Sequence, residues 1–437
     1  MPMKRKWIIV LGDFVSFLIS FLLLIFIRFE SKDYLFAIDI HIFPFIILYL
    51  SWVLVFYIFG LYDLLSIKPT IPYLKRWVTA LLCSFAVGIL LFYFVPIFGI
   101  SPKLNLIIQT IGFSIFSFLF RRIIYALFSK GITQPVIFIG DSFYLSELEK
   151  TIEKNPQMGL QIINHFKTIN EINFDLTKYK NLLIILDRKI EIQDANILDF
   201  YKKGIEIIDT AKAYEKYLYK IPVEYIDLSF IVENIETKKD ILYSTATFLI
   251  NIIFAISLLI ITSPILLVAI IARLIEDGRP IFIKQKRVGL NGKVFNLYKL
   301  RSMIVLSPDG SAEKDGPIWA TGQDDERITP VGKVLRKLHI DEIPQMINIL
   351  KGDISLIGPR PERPEFVELL DKDIPYYSFR HIVRPGFTGW AQIKYFYANT
   401  VVTSKEKFEF DLYYIKNRNI FIDFGIILRT IQIIFTH

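Results

Sequence analysis

Five long apolar runs constrain the fold of this chain more than any other feature. Four of them fall in the N-terminal third, at about Trp7 to Phe29, Ile42 to Tyr62, Trp77 to Phe98 and Leu104 to Phe128. Each is near the roughly 20 apolar residues with which an α-helix crosses a bilayer. The first run is also too long for the core of a signal peptide. We therefore predict a bundle of four transmembrane helices over residues 1–131.

Basic residues indicate how this bundle is oriented. They cluster at the N-terminus (Lys4, Arg5, Lys6), in the second connection (Lys68, Lys75, Arg76) and at the end of the fourth run (Arg121, Arg122, Lys130). The other two connections carry only Lys32 and Lys103. By the positive-inside rule, both ends of the bundle should lie in the cytoplasm. Asp13, inside the first run, is costly in lipid, so we expect it to face other helices as a buried polar contact.

The composition limits the remaining function classes. A formal net charge of +8 suits anionic lipid headgroups and phosphorylated substrates. The basic residues form no helical stripe with interleaved aromatics, so no nucleic acid partner is expected. The single cysteine, Cys83, lies in an apolar run, which excludes a disulfide framework or a cysteine metal site within one chain.

Residues 132–236 change to an alternation of short apolar strands and helical stretches. Strands are predicted at PVIFIGD (135–141), LQIINHF, NLLIILD and IEIIDT. This pattern predicts a small parallel α/β domain of Rossmann-like type. A dinucleotide site would need Gly-x-Gly-x-x-Gly after the first strand, but the turn reads Gly140-Asp141-Ser142-Phe143. We therefore expect no dinucleotide there and a structural or regulatory role.

The fifth apolar run, Ile241 to Ala272, contains Ser263-Pro264 and is basic on both flanks. Both flanks should therefore stay on the cytoplasmic side. A straight span would carry everything after it across the membrane, whereas Pro264 removes a backbone hydrogen bond and can kink the helix. We favour a re-entrant helix–break–helix over residues 241–272, with an ordinary kinked span as the alternative.

Two adjacent carboxylates, Asp341 and Glu342, stand out beyond this run. Pro344 follows them, and because proline is tolerated in the first turn of a helix, the pair should lie at a helix N-terminus. The helix, Pro344 to about Leu350, is expected to bury Ile343, Met346, Ile347 and Leu350. The alternative is that both are first-turn acids that neutralise surface cations.

Cations surround the acidic pair in the sequence. Arg336, Lys337 and His339 precede it, and Gly358-Pro359-Arg360-Pro361 presents another guanidinium from a rigid turn. Such cations would keep a carboxylate ionised, which makes it a candidate nucleophile towards phosphorus, and would also hold a phosphate. Lys299 and Arg301 alternate across Leu300, so on a strand they would share a face suited to a diphosphate or, equally, a solvated face.

Five motifs in this order resemble the bacterial sugar transferases, the polyprenyl-phosphate phosphoglycosyl transferases, from about Thr237 to the end. The motifs are KQKRVGLNGKVFNLYKLRSM (284–303), RITPVGKVLRKLHIDEIPQ (327–345), GDISLIGPRPERPEF (352–366), RHIVRPGFTGWAQI (380–393) and KFEFDLYYIKN (407–417). The N-terminal half is similar to the long members, in which a four-helix membrane bundle and a nucleotide-binding-like domain precede the catalytic part.

The resemblance implies transfer of a sugar 1-phosphate from a UDP-sugar to polyprenyl (undecaprenyl) phosphate, with release of UMP, at the cytoplasmic face of the bacterial inner membrane. It implies that Asp341 is the nucleophile and Glu342 its partner, with Mg²⁺ bound through the carboxylate oxygens of Asp341 and Glu342 and through phosphate oxygens. The cations expected to contact the substrate phosphates are Lys299, Arg301, Arg336 and Arg360, with Arg384 as a further candidate. It also implies a membrane-embedded α/β catalytic domain, residues 237–437, with the re-entrant break at Ser263-Pro264.

Several alternatives stay open. Residues 394–399 replace the Gly-Arg-Asn of several short members, which leaves the uridine and sugar contacts open. The chain could be a non-catalytic scaffold of a polysaccharide assembly complex, or a transferase with another donor or lipid. The sugar and a homo-oligomeric state are likewise open. Residues 306–325 are expected to cover the site, and the tail to form two helices, the second lying in the membrane interface.

Overall fold

The computed structural model describes residues 2–94, 103–131, 133–172, 175–188, 190, 198, 200–235, 241–306, 325–395 and 400–436. Most of the predicted cover, 307–324, and residues 396–399 lie outside this description. The chain divides into two compact units, Met1–Tyr217 and Leu218–His437.

Four long helices form the first part of unit 1: α1 (Pro2–Arg28), α2 (Tyr34–Ile58), α3 (Ile71–Phe94) and α4 (Lys103–Ala126). All four are long and apolar enough to cross a membrane, as predicted. All four begin before their predicted apolar runs: α1 by five residues, α2 by eight, α3 by six and α4 by one. Polar residues continue these helices beyond the apolar stretch, and Pro72 is tolerated because it lies in the first turn of α3.

Asp13 is completely buried and faces α4, which confirms the expectation of a buried polar contact. Its Oδ1 accepts a hydrogen bond of 2.7 Å from Ser117, and its Oδ2 pairs with Arg121. Arg121 also donates to the carbonyl oxygen of Leu61 at 2.7 Å. The two charges are therefore paired and hydrogen-bonded, as groups withdrawn from water must be.

The second part of unit 1 is an α/β domain. Its elements are β1 (Gln134–Ile139), α5 (Phe143–Lys154), β2 (Leu160–Phe166), β3 (Leu183–Leu186), β4 (Glu206–Asp209) and α6 (Thr210–Leu218). The strands form one parallel sheet in the order β2-β1-β3-β4, which confirms the predicted parallel α/β arrangement. Its assignment to the Rossmann-like class stays a prediction.

Packing explains the glycine that follows β1. Gly140 has φ +137°, and a Cβ there would lie 2.4 Å from the Cβ of Asp187, just after β3. Close approach to Asp187 therefore requires a glycine at this position. Asp141, which follows Gly140, forms an ion pair of 3.0 Å with Lys167. The absence of a dinucleotide stays a prediction.

The basic segments of the bundle meet the α/β domain at one end. Arg5 donates to the carbonyl oxygen of Gln157 at 3.4 Å, and the Gln157 amide donates to Leu65 at 3.2 Å. Lys68 donates to the carbonyl oxygen of Lys154 at 3.1 Å. The N-terminus and the second connection thus share one end of the bundle, as the charge pattern requires.

Unit 2 begins with residues that we predicted to close the α/β domain. Val223 and α7 (Leu228–Asn234) belong instead to a hydrophobic cluster with α11 (Pro364–Asp373) and α13 (Val401–Asn417), in which Phe408 is completely buried. The long helix α8 (Ile241–Asp277) follows. The remaining elements of unit 2 are β5 (Phe282–Val288), β6 (Val294–Leu300), α9 (Pro330–Lys337), α10 (Gln345–Lys351), β7 (Ser355–Ile357), β8 (Gly386–Thr388), α12 (Trp390–Lys394) and α14 (Ile420–Thr436).

Two small sheets organise unit 2. Strands β5 and β6 form an antiparallel hairpin from Phe282↔Leu300 to Val288↔Val294. Strands β7 and β8 pair in parallel, with Ser355 opposite Gly386. The predicted two tail helices are present as α13 and α14, while the interfacial position of α14 stays a prediction.

Helix α8 is continuous through Pro264, so the predicted break does not interrupt it. Pro264 has no N–H for the carbonyl oxygen of Ile260, four residues earlier. The Ser263 hydroxyl donates to that oxygen at 2.8 Å and takes the place of the missing amide. The Ser-Pro pair is therefore accommodated inside a helix, and a re-entrant path stays a proposal.

Helix α8 contacts the rest of unit 2 near both of its ends. Near its start, the Tyr243 hydroxyl donates to Asp423 at 2.7 Å. Further along, Asn251 binds Ser355 and accepts a hydrogen bond of 2.9 Å from the amide of Leu356. Near its end, Arg273 is completely buried and donates to Thr329 at 2.8 Å. Small residues between them, Ala255 and Ala269, pack in the hydrophobic core. One face of α8 is thus part of the folded body, while many apolar side chains on the rest are exposed.

Candidate active site

Asp341 and Glu342 lie in a single 3₁₀ turn, Ile340–Glu342, between α9 and α10. His339 has φ 54°, in the left-handed region, and turns the chain out of α9. Helix α10 starts at Gln345, with Pro344 as its N-cap residue. The acidic pair therefore precedes the helix rather than occupying its first turn, because the tight turn after His339 separates the two helices.

The apolar pattern of α10 is partly different from the predicted one. Ile343 and Met346 are buried, but Ile347 and Leu350 are 42% and 43% exposed. Ile349 is buried in their place and packs with Met346 against α8. Four of the seven residues of α10 are buried, and the two apolar ones among them, Met346 and Ile349, lie three positions apart on one face. The polar residues Gln345 and Asn348 fill the rest of the buried surface.

Two cations hold the Glu342 carboxylate. Lys299, at the end of β6, donates to Oε1 at 3.0 Å, and Arg360 donates to the same oxygen at 2.6 Å. Burial alone would raise the pKa of Glu342, but the charges of Arg360 and Lys299 outweigh burial and hold it well below its usual range. The ionised form of Glu342 is therefore the one that its neighbours favour.

Asp341 differs from its neighbour. Its side chain is buried, and among the residues that the structure describes nothing hydrogen-bonds or ion-pairs with its carboxyl group. Burial raises the pKa of Asp341 and the Glu342 charge adds to this effect, while Lys299 and Arg336 oppose it. The expectation that surrounding cations keep both acids ionised therefore holds for Glu342 and not equally for Asp341, because both nearby donors point at Glu342.

The other predicted cations separate into two groups. The side chains of Arg336, half-buried on α9, and Arg384, exposed before β8, have no hydrogen bond or ion pair with any described residue. Both are available to an incoming anion. The backbone of Arg384 adjoins the turn that carries Arg360, since its carbonyl oxygen lies 2.4 Å from where a Cβ of Gly358 would be.

Arg301 is not brought to the acidic pair. It is 2% exposed, pairs with Asp277 at the end of α8 and donates to the carbonyl oxygen of Gly278 at 2.9 Å. Asp277 is shared with Arg273, which also pairs with Glu276. The predicted role of Arg301 as a phosphate ligand stays a prediction that this placement does not support.

Charged residues that we did not single out lie behind Arg360. Glu362 binds Lys407 at 2.6 Å and lies 3.7 Å from Arg380 and 3.9 Å from Arg287. Burial alone would raise the pKa of Glu362, but these three cations hold it far below its usual range. All four residues lie within the quoted motifs, yet only the fold shows that they form one cluster.

A divalent cation would find one carboxylate here without a partner. Among the described residues there is no group of three or more His, Cys, Asp or Glu side chains arranged to hold a metal. Glu342 already binds two cations, so Asp341 is the side chain that fits. Mg²⁺ is commonly bound by one or two carboxylates together with substrate phosphates and water, which this arrangement permits.

Comparison with known proteins places this site in the part of the chain that matches one family. Residues 242–437 match the family model described as bacterial sugar transferase. The "uncharacterized sugar transferase EpsL" of Bacillus subtilis is 40% identical over 178 residues, which cover 41% of this chain and 81% of that protein.

Longer relatives match only over their corresponding parts. The "UDP-N-acetylgalactosamine-undecaprenyl-phosphate N-acetylgalactosaminephosphotransferase" of Aeromonas hydrophila is 44% identical over 188 residues, 43% of each chain. The "UDP-glucose:undecaprenyl-phosphate glucose-1-phosphate transferase" of Escherichia coli is 36% identical over 183 residues, which cover 41% of this chain and 38% of that protein. The aligned part is thus less than half of these two relatives.

Proposed function

Since this chain belongs to the bacterial sugar transferase family, we propose that it is a phosphoglycosyl transferase that moves a sugar 1-phosphate from a UDP-sugar to polyprenyl phosphate and releases UMP. The observation that carries this proposal is the contrast within the acidic pair. Glu342 is bound by Lys299 and Arg360, whereas Asp341, beside it, has no described partner. A buried carboxyl group that its neighbours leave free is suited to attack.

In the proposed first half-reaction, a carboxylate oxygen of Asp341 attacks the β-phosphorus of the UDP-sugar. A bond forms between this oxygen and phosphorus, and the bond from phosphorus to the oxygen that bridges the two phosphates breaks. That oxygen leaves with UMP, and the sugar phosphate stays on Asp341. In the second half-reaction a phosphate oxygen of the lipid acceptor attacks the same phosphorus, which frees Asp341 and gives a polyprenyl diphosphate sugar.

Charge on the phosphate oxygens is stabilised by the surrounding cations in this proposal. The side chains of Arg336 and Arg384 have no hydrogen bond or ion pair with a described residue and would bind the donor directly. Lys299 and Arg360 keep Glu342 ionised and lie beside Asp341, where they would stabilise the leaving UMP. Mg²⁺, held by Asp341 and the diphosphate, would supply further charge neutralisation.

The path of α8 supports placing this chemistry at one membrane surface. Tyr243 and Arg273 hold the two ends of the helix to the same folded body. A helix that crossed the bilayer would separate these ends by hydrocarbon, which such a body cannot enter. We therefore infer a re-entrant course, with the active site at the cytoplasmic face of the bacterial inner membrane.

Cysteine labelling tests this course. Cys83 is the only cysteine, so single cysteines at Lys239 and Arg279 can be introduced into a Cys83→Ser background. In right-side-out and inverted vesicles, a re-entrant helix predicts that both positions react with an impermeant maleimide from the same side. Labelling from opposite sides would identify an ordinary span.

The reaction is tested by UMP release from purified, detergent-solubilised full chain with Mg²⁺ and a panel of UDP-sugars, with and without undecaprenyl phosphate. A stoichiometric UMP burst without acceptor, absent in Asp341→Asn, would support the covalent step and identify the sugar. UMP release only with both substrates would retain the transferase and remove the covalent step. No release from any donor by folded protein would contradict the proposed function and favour a scaffold.

A further inference from the structure

The turn that carries Arg360 is fixed through its main chain. We define the Arg360 loop as Gly358–Glu362. Pro359 and Pro361 have no N–H, so this loop cannot form a regular ladder. Four of its five carbonyl oxygens, those of residues 359–362, nevertheless accept hydrogen bonds: the Pro359 oxygen accepts from the Gly386 amide at 2.9 Å, and the Glu362 oxygen accepts from the Val288 amide at 2.9 Å.

The two carbonyl oxygens in between are bound by arginine side chains. Arg287 donates to the carbonyl oxygen of Pro361 at 3.1 Å. Arg380 donates to the carbonyl oxygen of Arg360 itself at 3.0 Å. The residue that contacts Glu342 is therefore held from behind by a second guanidinium.

Arg380 is itself held by fixed partners. It is 2% exposed, and the nitrogen that binds Arg360 also donates to Asp411 at 2.8 Å. Its other terminal nitrogen bonds the Tyr377 hydroxyl and lies 3.7 Å from Glu362. Lys407, which binds Glu362, is one helical turn from Asp411 on α13. Helix α13 thus supplies an acid and a base to the same cluster.

Burial excludes Arg380 from direct substrate contact, because a diphosphate would have to displace the protein groups that surround it. We infer that Arg380 is a positioning residue for the proposed reaction, acting through the main chain of Arg360 to place the Arg360 guanidinium against Glu342. This inference rests on the proposed transferase function. Arg380 contributes orientation, whereas Arg360 contributes charge beside the reacting carboxyl group.

Lysine cannot replace Arg380 in this role. A lysine keeps the charge, but its single ammonium cannot reproduce the planar group that bridges Asp411, Tyr377 and the carbonyl oxygen of Arg360. The loop carbonyl would lose its donor and Arg360 would sample other positions. Because a misplaced charged hydrogen bond commonly costs about one order of magnitude, we expect Arg380→Lys to lower the rate of UMP release about tenfold.

A double-mutant cycle with Arg360 separates positioning from a general structural effect. UMP release is measured at saturating donor for the full chain, Arg380→Lys, Arg360→Lys and the double variant. If Arg380 acts through Arg360, its roughly tenfold effect should fall to about twofold or less in the Arg360→Lys background, since residues in one network are not additive. A tenfold loss in both backgrounds, or none in the first, would overturn this inference alone.

Two further variants keep the test decisive. Asp411→Asn leaves Arg380 in place but weakens its hydrogen bond to residue 411. We expect a smaller loss in the rate of UMP release, which should also disappear in the Arg360→Lys background. This variant serves as the test if Arg380→Lys does not fold. Lys220→Met is the matched control, because Lys220 is 4% exposed and lies 3.6 Å from Glu409 on the same helix. Its effect on the rate should be the same with and without Arg360. Absence of UMP release by the unmodified chain would instead overturn the proposed function and this inference with it.

Discussion

The hydroxyl of Ser263 is hydrogen-bonded to the carbonyl oxygen of Ile260, at 2.8 Å. This is the oxygen that Pro264 would have bound had it carried an amide hydrogen. An unpaired carbonyl is costly in an apolar environment, and most of the surroundings of α8 are apolar. The serine before the proline is therefore part of how the helix stays intact.

Ser263→Ala should destabilise unit 2 by about 1–3 kcal/mol, because the carbonyl of Ile260 is left without a donor. For a domain of this size that corresponds to roughly 2–4 °C in Tm per kcal/mol, measured by thermal unfolding in detergent. Thr262→Val is the matched control. Thr262 also donates to a carbonyl, that of Leu258, at 2.6 Å. That oxygen keeps its backbone amide donor, so a shift as large as that of Ser263→Ala would refute the explanation.

Asp13→Asn should destabilise the membrane bundle by about 3–5 kcal/mol, because it leaves Arg121 buried without a countercharge. The double variant Asp13→Leu/Arg121→Met removes both charges and should recover most of the lost stability. Thermal unfolding of unit 1 in detergent measures both. Lys32→Ala is the control, since its pairing with Glu30 is exposed and worth about 1 kcal/mol or less. Equal losses in the single and double variants would contradict the ion-pair account.

The amplitude of the UMP burst should fall on acidification. The midpoint of this fall should lie at a higher pH than expected for an ordinary aspartate. Burial raises the pKa of Asp341 above the usual value of about 3.9, and only its ionised form can attack. The Glu342 charge raises this pKa and Lys299 lowers it. Glu342→Gln should therefore move the acid limb to lower pH, and Lys299→Met to higher pH.

A plot of burst amplitude against pH gives the midpoint of the acid limb for each variant. The exposed Lys351 is the control for removal of a lysine charge, and Lys351→Met should leave the limb in place. Shifts of the same sign in Glu342→Gln and Lys299→Met would show that the limb does not report Asp341.

Arg301 and Arg336 should respond differently to replacement by lysine. Arg301→Lys breaks a buried pairing with Asp277 and should lower Tm while the donor KM changes by about twofold or less. Arg336→Lys should preserve Tm and raise the donor KM about tenfold, because a guanidinium binds phosphate in a bidentate way that an ammonium cannot. A large KM change in Arg301→Lys at unchanged Tm would restore Arg301 as a phosphate ligand.

Hydropathy and residue spacing in the sequence predicted those features that depend on residues close together in the chain. Hydropathy located all five long helices, and strand β2 coincides with the predicted LQIINHF. The acidic pair and Arg360 were found by residue type and spacing, and the structure brings Glu342, Lys299 and Arg360 together. Helix starts were less accurate, because polar residues such as Asp39 and His41 extend α2 beyond its apolar stretch.

Long-range pairing was beyond the sequence. Glu362 binds Lys407, 45 positions away, and no local periodicity predicts such a contact. The same holds for Arg301. Its alternation with Lys299 predicted that both would bind phosphate, but Arg301 forms an ion pair with Asp277 instead. The opposite pKa shifts of Asp341 and Glu342 also depend on which carboxyl group the cations contact, and the sequence of two adjacent acids does not show this.

Helix α8 has a consequence for handling this protein. Its buried alanines and Asn251 are structural components of the same body that carries Asp341. Deleting the helix to obtain a water-soluble fragment would therefore remove part of the hydrophobic core of the domain as well as its membrane segment. Solubility has to be gained by changing outward-facing side chains of α8, such as Ile260 and Leu267, while its inward face is kept.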